Sequence, residues 1–124
     1  MKTIETKKAP AAIGPYSQAM ILSNGTIYTS GQIPLLPETG EIAEGGITEQ
    51  TEQVIQNLAA VLEAAGSDLT KVIKTTCFLQ NMDDFAAFNA VYEKYFTGKP
   101  ARSCVAVKDL PKGVLCEIEA FAVK

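Results

Sequence analysis

The chain has 124 residues, of which 47% are apolar, and this length and composition indicate one globular domain, residues 1–124, rather than a disordered chain. The 11 basic and 14 acidic residues give a net charge of −3 and form no basic block, which argues against nucleic acid as a main partner. With no histidine and no C-x-x-C pair, the sequence offers too few soft ligands for a structural zinc site.

The first twenty residues do not predict a signal peptide. Residues Met1 to Met20 include Lys7, Lys8 and Pro10 but no apolar run long enough for a signal peptide. No stretch approaches the roughly 20 apolar residues that span a membrane. We therefore expect a soluble, cytoplasmic protein whose cysteines are reduced and mostly buried.

The first half of the chain predicts short strands and loops. Lys2 to Glu5 forms a candidate first strand. Ser17 to Leu22 and Thr26 to Ser30 predict a β-hairpin, because the Asn-Gly pair in Ser23-Asn24-Gly25 tolerates the positive φ of a tight turn. Gln32 to Gly46 contains two prolines and three glycines, which predicts an irregular segment.

The first helix is predicted over Thr48 to Ala65. Its apolar side chains recur at helical spacing, and the stripe consists of Val54, Ile55, Leu58, Val61, Leu62 and Ala65. Glu49 and Glu52 suit the positive end of the helix dipole, and Gly66 is a natural stop.

A strand and a second helix follow. Val72 to Gln80 is rich in β-branched residues, and strict alternation along it groups Ile73 with Thr75, Cys77 and Leu79. The second helix is predicted over Asp84 to Phe96, with Asn81 or Asp83 as its cap. Its aromatic stripe is interpreted as core.

The closing strands, Arg102 to Val107 and Val114 to Val123, complete the order β-β-β-α-β-α-β-β, which predicts an α+β fold with a six-stranded sheet. Two helices, each about 10 Å wide, cover only one face of a sheet about 28 Å across. The last strand nonetheless carries apolar side chains on both faces. We therefore expect copies of the same chain to cover the second face, with ligand sites between subunits.

The closing strands also carry the strongest candidates for chemistry, and we expect the two strands to be neighbours. Arg102 suits a carboxylate ligand because its planar fork donates two parallel hydrogen bonds; the alternative is a surface or interfacial ion pair with a glutamate. Glu117 and Glu119 share a face with apolar residues, so partial desolvation should raise their pKa; the alternatives are solvent exposure and salt bridges between subunits. Cys104 shares the Arg102 side of its strand, and a structural role that lends its backbone carbonyl is favoured over a nucleophilic one.

Four further residues are weaker candidates for ligand contact. Tyr16 follows a constrained turn, Ser30 and Gly31 close the hairpin, and Gly31 would permit close approach of a ligand to the backbone. Asn89 interrupts the otherwise apolar sequence of the second helix. Turn or capping roles are the alternative for each.

Five segments together resemble the Rid (reactive intermediate deaminase, YjgF-like) family. They are Gly14-Pro15-Tyr16-Ser17-Gln18, Thr29-Ser30-Gly31-Gln32-Ile33-Pro34, Val72-Ile73-Lys74-Thr75-Thr76, Pro100-Ala101-Arg102-Ser103 and Glu117-Ile118-Glu119-Ala120. The resemblance covers essentially the whole chain in order. It implies a chorismate-mutase-like α+β fold with two helices on one face of the sheet. It also implies a homotrimer with active sites between subunits and no cofactor or metal. The implied reaction hydrolyses 2-imino acids and their 2-aminoacrylate-type enamine tautomers, such as 2-iminobutanoate and 2-iminopropanoate, to 2-keto acids and ammonia.

The resemblance also implies residue roles. Arg102 matches the arginine that holds the substrate carboxylate, and Glu117 matches the glutamate that places the attacking water together with the backbone carbonyl of Cys104. The residues that match positions lining the family's pocket are Tyr16, Ser30, Gly31 and Asn89. The resemblance gives the catalytic role to the first glutamate of Glu117-Ile118-Glu119, so Glu119 is expected to have a structural role. The segment Thr97-Gly98-Lys99 is shorter than in many relatives, so the resemblance does not determine which substrate side chain is preferred.

Two alternatives from other classes stay open. The first is a regulatory or binding protein of the same fold, because some relatives resemble partners of transcription regulators and others are described as translation inhibitors with ribonuclease activity. Chorismate mutase activity is suggested by fold alone, and that reaction would need several cations around a dicarboxylate.

Overall fold

Six strands form one mixed sheet, and two helices pack against one of its faces in this computed structural model, which describes all residues from Met1 to Lys124. The strands are β1 (Lys2–Ile4), β2 (Ala19–Ile21), β3 (Thr26–Thr29), β4 (Val72–Leu79), β5 (Ala101–Ala106) and β6 (Cys116–Val123). The helices are α1 (Ile47–Ala64) and α2 (Phe85–Tyr95), and single 3-10 turns occupy Leu69–Lys71, Met82–Asp84 and Pro111–Gly113. The predicted α+β fold and element order are confirmed.

The spatial order of the strands is β1-β2-β3-β6-β4-β5, so the two closing strands of the chain are not neighbours. The prediction that β5 and β6 lie side by side is wrong, because β4 pairs with β5 on one side and with β6 on the other. β4 and β6 are the two longest strands and pair along their length, which places both in the middle of the sheet. Only the β4–β5 pair is parallel.

The hairpin of β2 and β3 forms as predicted. Gly25 has a φ of +87°, and the side-chain oxygen of Asn24 accepts a hydrogen bond from the backbone N–H of Thr26 at 3.0 Å. Both residues therefore perform the turn function that the Asn-Gly pair predicts.

Helix α1 begins and ends near its predicted bounds. The Glu49 carboxylate accepts a hydrogen bond from the backbone N–H of Gly46 at 2.8 Å, and Gly66, with a φ of +83°, follows the end of the helix. At α2 the capping prediction needs a correction. Asn81 caps the preceding 3-10 turn by accepting from the N–H of Asp83 at 2.8 Å, whereas Asp84 occupies the N-cap position of α2 without a side-chain bond.

Alternation along β6 separates its two faces. Cys116, Ile118, Ala120 and Ala122 are buried against the helices, whereas Glu117, Glu119 and Phe121 point to the opposite face. In β4 the strict alternation is interrupted, because the pairing register with β6 shifts between Val72 and Lys74. As a result Val72 is buried and Ile73 is 49% exposed, so the predicted grouping of Ile73 with Thr75 is wrong.

The second face of the sheet, which we call the open face, carries no helix. The rings of Tyr28 and Phe121 lie there with centroids 4.7 Å apart across the β3–β6 pair, and Val105 and Val123 are also exposed. An uncovered face with this many apolar side chains is unusual for a protein that works as a monomer. Neither helix is long and apolar enough to cross a membrane.

Candidate functional site

Glu117 lies in a cavity of about 500 Å³ on the open face. The cavity is lined by Ile13, Tyr16, Ser30, Gly31, Ile33, Pro111, Glu117 and Glu119. Of the seven sequence-predicted site residues, four line this cavity, and we call Tyr16, Ser30, Gly31 and Glu117 the carboxylate half-site. Ile13, Ile33 and Pro111 were not predicted, because they belong to irregular segments that no periodicity assigns to a pocket.

Gly31 approaches the Glu117 side chain more closely than any other residue type would permit. The backbones of Gln32 and Ile118 exchange two hydrogen bonds, of 2.8 and 3.1 Å, which hold the Gly31 segment beside β6. A Cβ atom at Gly31 would lie 1.9 Å from Oε2 of Glu117. The carboxylate therefore occupies the space that a side chain at position 31 would fill. The close approach of a ligand to the Gly31 backbone stays a prediction.

The electrostatic setting of Glu117 favours a proton carrier. Burial raises the pKa of Glu117 above its ordinary value of 4.5, and the like charge of Glu119 raises it further. Neither glutamate takes part in a salt bridge within the chain. The predicted desolvation of Glu117 is thus confirmed, and its acid form persists closer to neutral pH than that of an exposed glutamate.

Ser30 and Tyr16 differ in how free their hydroxyl groups are. The Ser30 hydroxyl donates a 2.6 Å hydrogen bond to the backbone carbonyl of Ser17, which ties the ends of β2 and β3 together. The Tyr16 side chain is half exposed, and its hydroxyl accepts only a long bond of 3.5 Å from the Ile13 N–H. Tyr16 therefore has a phenol group available at the mouth of the cavity.

Arg102 lies in a separate cluster, the guanidinium half-site, which consists of Arg102, Asn89, Tyr92 and Phe85. One guanidinium nitrogen donates a 2.8 Å hydrogen bond to the side-chain oxygen of Asn89. The guanidinium carbon lies 4.8 Å from the ring centre of Tyr92 and 5.5 Å from that of Phe85. No carboxylate of the same chain forms an ion pair with Arg102. Pairing with a glutamate of a neighbouring subunit stays a prediction.

Sequence reasoning missed Tyr92 and Phe85 as part of this cluster, because it assigned the whole aromatic stripe of α2 to the core. A usable signal existed. Phe85, Asn89 and Tyr92 are spaced four and three residues apart, so they lie along one face of α2. Asn89, the polar residue within the aromatic stripe, indicates the part of α2 that is not enclosed by the core.

Cys104 lies on the same side of β5 as Arg102, as predicted. Burial raises the pKa of its thiol above the ordinary value of 9.0, and the nearby Arg102 charge lowers it by a smaller amount. Cys77 and Cys116 are fully buried with a thiol pKa raised to about 12, and all three cysteines are free. A thiol in its protonated form is a poor nucleophile, which agrees with a structural role for the Cys104 side chain.

The two half-sites lie on opposite faces of the sheet. Arg102 pairs in register with Thr75, whose side chain is buried beneath the helices, whereas Glu117 pairs with Phe78 on the open face. Strand β4 also separates their strands, so a single chain does not bring Arg102, Asn89 and Cys104 into the cavity of Glu117. Within one chain, the predicted site residues form two partial sites.

A metal site is not among the arrangements that these residues form. No three or more Cys, Asp or Glu side chains are grouped as ligands of a metal ion. The polar groups that the two half-sites present are a guanidinium, an amide, a carboxylate of raised pKa, a hydroxyl, phenols and backbone groups.

Comparison with known proteins gives a consistent result over nearly the whole chain. A family model described as endoribonuclease L-PSP matches residues 6–124. A Lactococcus lactis protein named as a candidate regulator, AldR, is 58% identical over 98% of this chain and 97% of its own length. A Rattus norvegicus protein named 2-iminobutanoate/2-iminopropanoate deaminase is 49% identical over 99% of this chain and 90% of its own length.

A solved structure agrees with the fold. The structure of YyfA from Yersinia pestis, described as a protein of unknown function of the conserved Rid family, is 50% identical to this chain. It superposes with a TM-score of 0.95, covering 99% of this chain and 98% of the other. These full-length matches, together with the six-stranded sheet and its two helices, show that the chain belongs to the Rid family, the family of the endoribonuclease L-PSP model.

Proposed function

We propose that this protein is a hydrolytic deaminase that converts 2-imino acids and their enamine tautomers to 2-keto acids and ammonia. The proposed substrates are 2-aminoacrylate, 2-iminobutanoate and 2-iminopropanoate. The observation that carries the proposal is the pair of uncompensated groups, the guanidinium of Arg102 and the half-buried carboxylate of Glu117. The name of the rat relative supports it.

Arg102 suits the substrate carboxylate. A partly buried guanidinium without an acidic partner leaves its charge and most of its five N–H donors for a ligand. A planar carboxylate accepts two parallel bonds from such a fork. Arg102 would thereby orient the imine carbon of the bound substrate.

Glu117 suits the water and proton steps. In the proposed reaction Glu117 accepts a proton from water as the water oxygen bonds to the imine carbon, and the carbon–nitrogen double bond becomes single. The carboxyl group then returns that proton to nitrogen, which gives a 2-hydroxy-2-amino acid. Glu117 next accepts the hydroxyl proton and passes it to nitrogen, so the carbonyl forms, the carbon–nitrogen bond breaks and ammonia leaves. A raised pKa suits both steps near neutral pH. Imines already hydrolyse in water, so orientation and proton transfer suffice and a covalent nucleophile is superfluous.

The complete site requires two copies of the chain. The half-sites lie on opposite faces of one subunit, and the open face exposes the Tyr28–Phe121 pair. We propose a homotrimer in which the open face of one subunit meets the guanidinium half-site of the next. In that arrangement the backbone carbonyl of Cys104 holds the attacking water together with the neighbour's Glu117. Light scattering during size-exclusion chromatography tests this, and a monodisperse monomer would contradict it.

The activity test couples the purified protein to threonine dehydratase, which releases the imino acid, and follows formation of 2-ketobutyrate. We expect the keto acid to appear faster with the protein present and at the uncatalysed rate with Arg102→Ala. Identical rates with and without wild-type protein would exclude the deaminase.

A regulatory role is the second candidate, because the relative at 58% identity is named as a candidate regulator. The endoribonuclease name of the family model raises RNA cleavage as a further possibility. RNA cleavage that survives both Arg102→Ala and rigorous repurification would favour it over the deaminase.

A further inference from the structure

We propose that Tyr92, held in place by Thr75, is a positioning residue that fixes the plane of the Arg102 guanidinium and thereby sets the affinity of this protein for carboxylate ligands. The inference rests on the proposed function, because it takes Arg102 as the group that binds the substrate carboxylate. Its test measures binding as well as turnover, so the two can fail separately.

Arg102 extends from an edge strand, where a long side chain has few neighbours to hold it. β5 pairs with β4 on one side only. The contacts that restrain the guanidinium all come from α2, namely the Asn89 oxygen at 2.8 Å, the Tyr92 ring at 4.8 Å and the Phe85 ring at 5.5 Å. Tyr92 is the nearer of the two rings and so the stronger candidate for setting the guanidinium plane.

The Tyr92 ring is itself immobilised. Its side chain is 8% exposed, and its hydroxyl lies 2.7 Å from the hydroxyl of Thr75, which is fully buried on β4. The ring also stacks on Phe96 with centroids 4.2 Å apart and planes 23° apart. Tyr92 therefore links a central strand to the guanidinium on the edge strand.

An aromatic face has an advantage over a carboxylate as the support for Arg102. A nearby aspartate or glutamate would neutralise the charge and compete with an anionic ligand for the guanidinium donors. The ring attracts the cation through its quadrupole and leaves the donors at the guanidinium edge free. Burial raises the pKa of Tyr92, so the ring stays neutral at physiological pH and does not become a competing anion.

A fixed guanidinium also binds more tightly than a mobile one. The free arginine side chain has many rotamers. A ligand that binds only one of them has its affinity reduced by the fraction of the protein in which the side chain adopts that rotamer. Restraint by Tyr92 and Asn89 removes part of that loss before the ligand arrives. Loss of the Tyr92 ring should therefore weaken binding of carboxylates and leave ligands without a carboxylate unaffected.

The experiment measures the dissociation constant of 2-ketobutyrate by calorimetry, with the methyl ester of 2-ketobutyrate as the uncharged comparison. For Tyr92→Leu we expect about a 10-fold weaker Kd for the acid and an unchanged Kd for the ester. Tyr92→Phe and Thr75→Val keep the ring but remove the hydrogen bond between the two hydroxyl groups, and we expect each to weaken binding of the acid by about 3-fold. Tyr95→Leu removes an aromatic ring of α2 that does not contact Arg102, and it should match wild type.

Kinetics provide the second readout. The KM for imino acid in Tyr92→Leu should rise by the same factor as the Kd, with kcat within about 2-fold of wild type, because the ring acts on carboxylate binding and not on proton transfer. Wild-type affinity for the acid in folded Tyr92→Leu would overturn the inference, as would equal weakening for acid and ester. If Tyr92→Leu does not fold, an unchanged Kd in Tyr92→Phe and Thr75→Val overturns it.

The outcomes also separate the inference from the proposed function. Selective weakening for the acid in a protein that hydrolyses no imine would sustain the role of Tyr92 and exclude the deaminase. Normal imine turnover with no selective weakening would exclude only the role of Tyr92. Absence of 2-ketobutyrate binding by wild-type protein would overturn the role of Tyr92, whereas only the keto-acid release assay decides the deaminase.

Discussion

Replacement of Gly31 by alanine tests whether Glu117 depends on the missing side chain beside it. The added methyl carbon would lie 1.9 Å from Oε2 and 2.8 Å from Cδ of Glu117. Gly31 has no positive φ, so alanine meets no backbone penalty at this position. The neighbour that must give way is the end of a flexible side chain, and so the carboxylate moves while the fold remains.

The size of the displacement follows from these distances. Ordinary contact begins at 3.4 Å, so the carboxylate oxygen must retreat by about 1.5 Å, the difference between 3.4 and 1.9 Å. A misplacement of about 1 Å in a catalytic group costs on the order of 100-fold in rate. We therefore expect kcat/KM to fall by about 100-fold or more, equivalent to about 2.7 kcal/mol of transition-state stabilisation. The free energy of unfolding should change by less than about 1 kcal/mol.

The measurement combines the coupled threonine dehydratase assay with denaturant unfolding. Gly46→Ala is the matched control, because a methyl group there meets no atom within 4 Å and the residue has a φ of −100°. Adding Glu117→Gln to Gly31→Ala should produce little further loss, since both changes act on the same carboxylate. Turnover of Gly31→Ala within about 3-fold of wild type would refute the role assigned to Glu117 and its position.

Three further substitutions test the remaining assignments. Arg102→Lys should reduce kcat/KM by about 100-fold or more, because a single ammonium reproduces neither the bidentate grip nor the stacking on Tyr92; wild-type turnover of 2-iminobutanoate would contradict this. Glu117→Gln should reduce kcat by a similar factor while the thermal unfolding temperature and the mass of the oligomer stay unchanged, and loss of the oligomer would instead indicate an interfacial role. Cys104→Ser should retain turnover within about 3-fold. Because the pKa of the Cys104 thiol is raised above 9.0, the thiolate form that reacts with iodoacetamide is scarce at pH 8 and becomes abundant only above pH 9; rapid labelling of the native protein at pH 8 would argue for an activated thiol.

The features that local sequence determined are those in which one segment folds against its own neighbours. The Asn24-Gly25 turn, the apolar stripe of α1 and the alternation of β6 all depend on residues a few positions apart, and each was predictable. The chemical character of Arg102 and the desolvation of Glu117 also followed from residue type and from the apolar residues that share a strand face. Local periodicity is a property of the amino-acid sequence itself, so these elements could be predicted from it.

The tertiary structure alone decided where those elements meet. Strand pairing is a long-range choice, and the connection between Ala106 and Cys116 is long enough either to turn back or to cross a strand, so nothing in it required β4 to lie between β5 and β6. That insertion, with the opposite strand faces of Arg102 and Glu117, divides the candidate site into two halves on each subunit. The register shift at Val72 and the packing of Tyr92 against Arg102 likewise arise from contacts between segments distant in sequence, which local patterns do not encode.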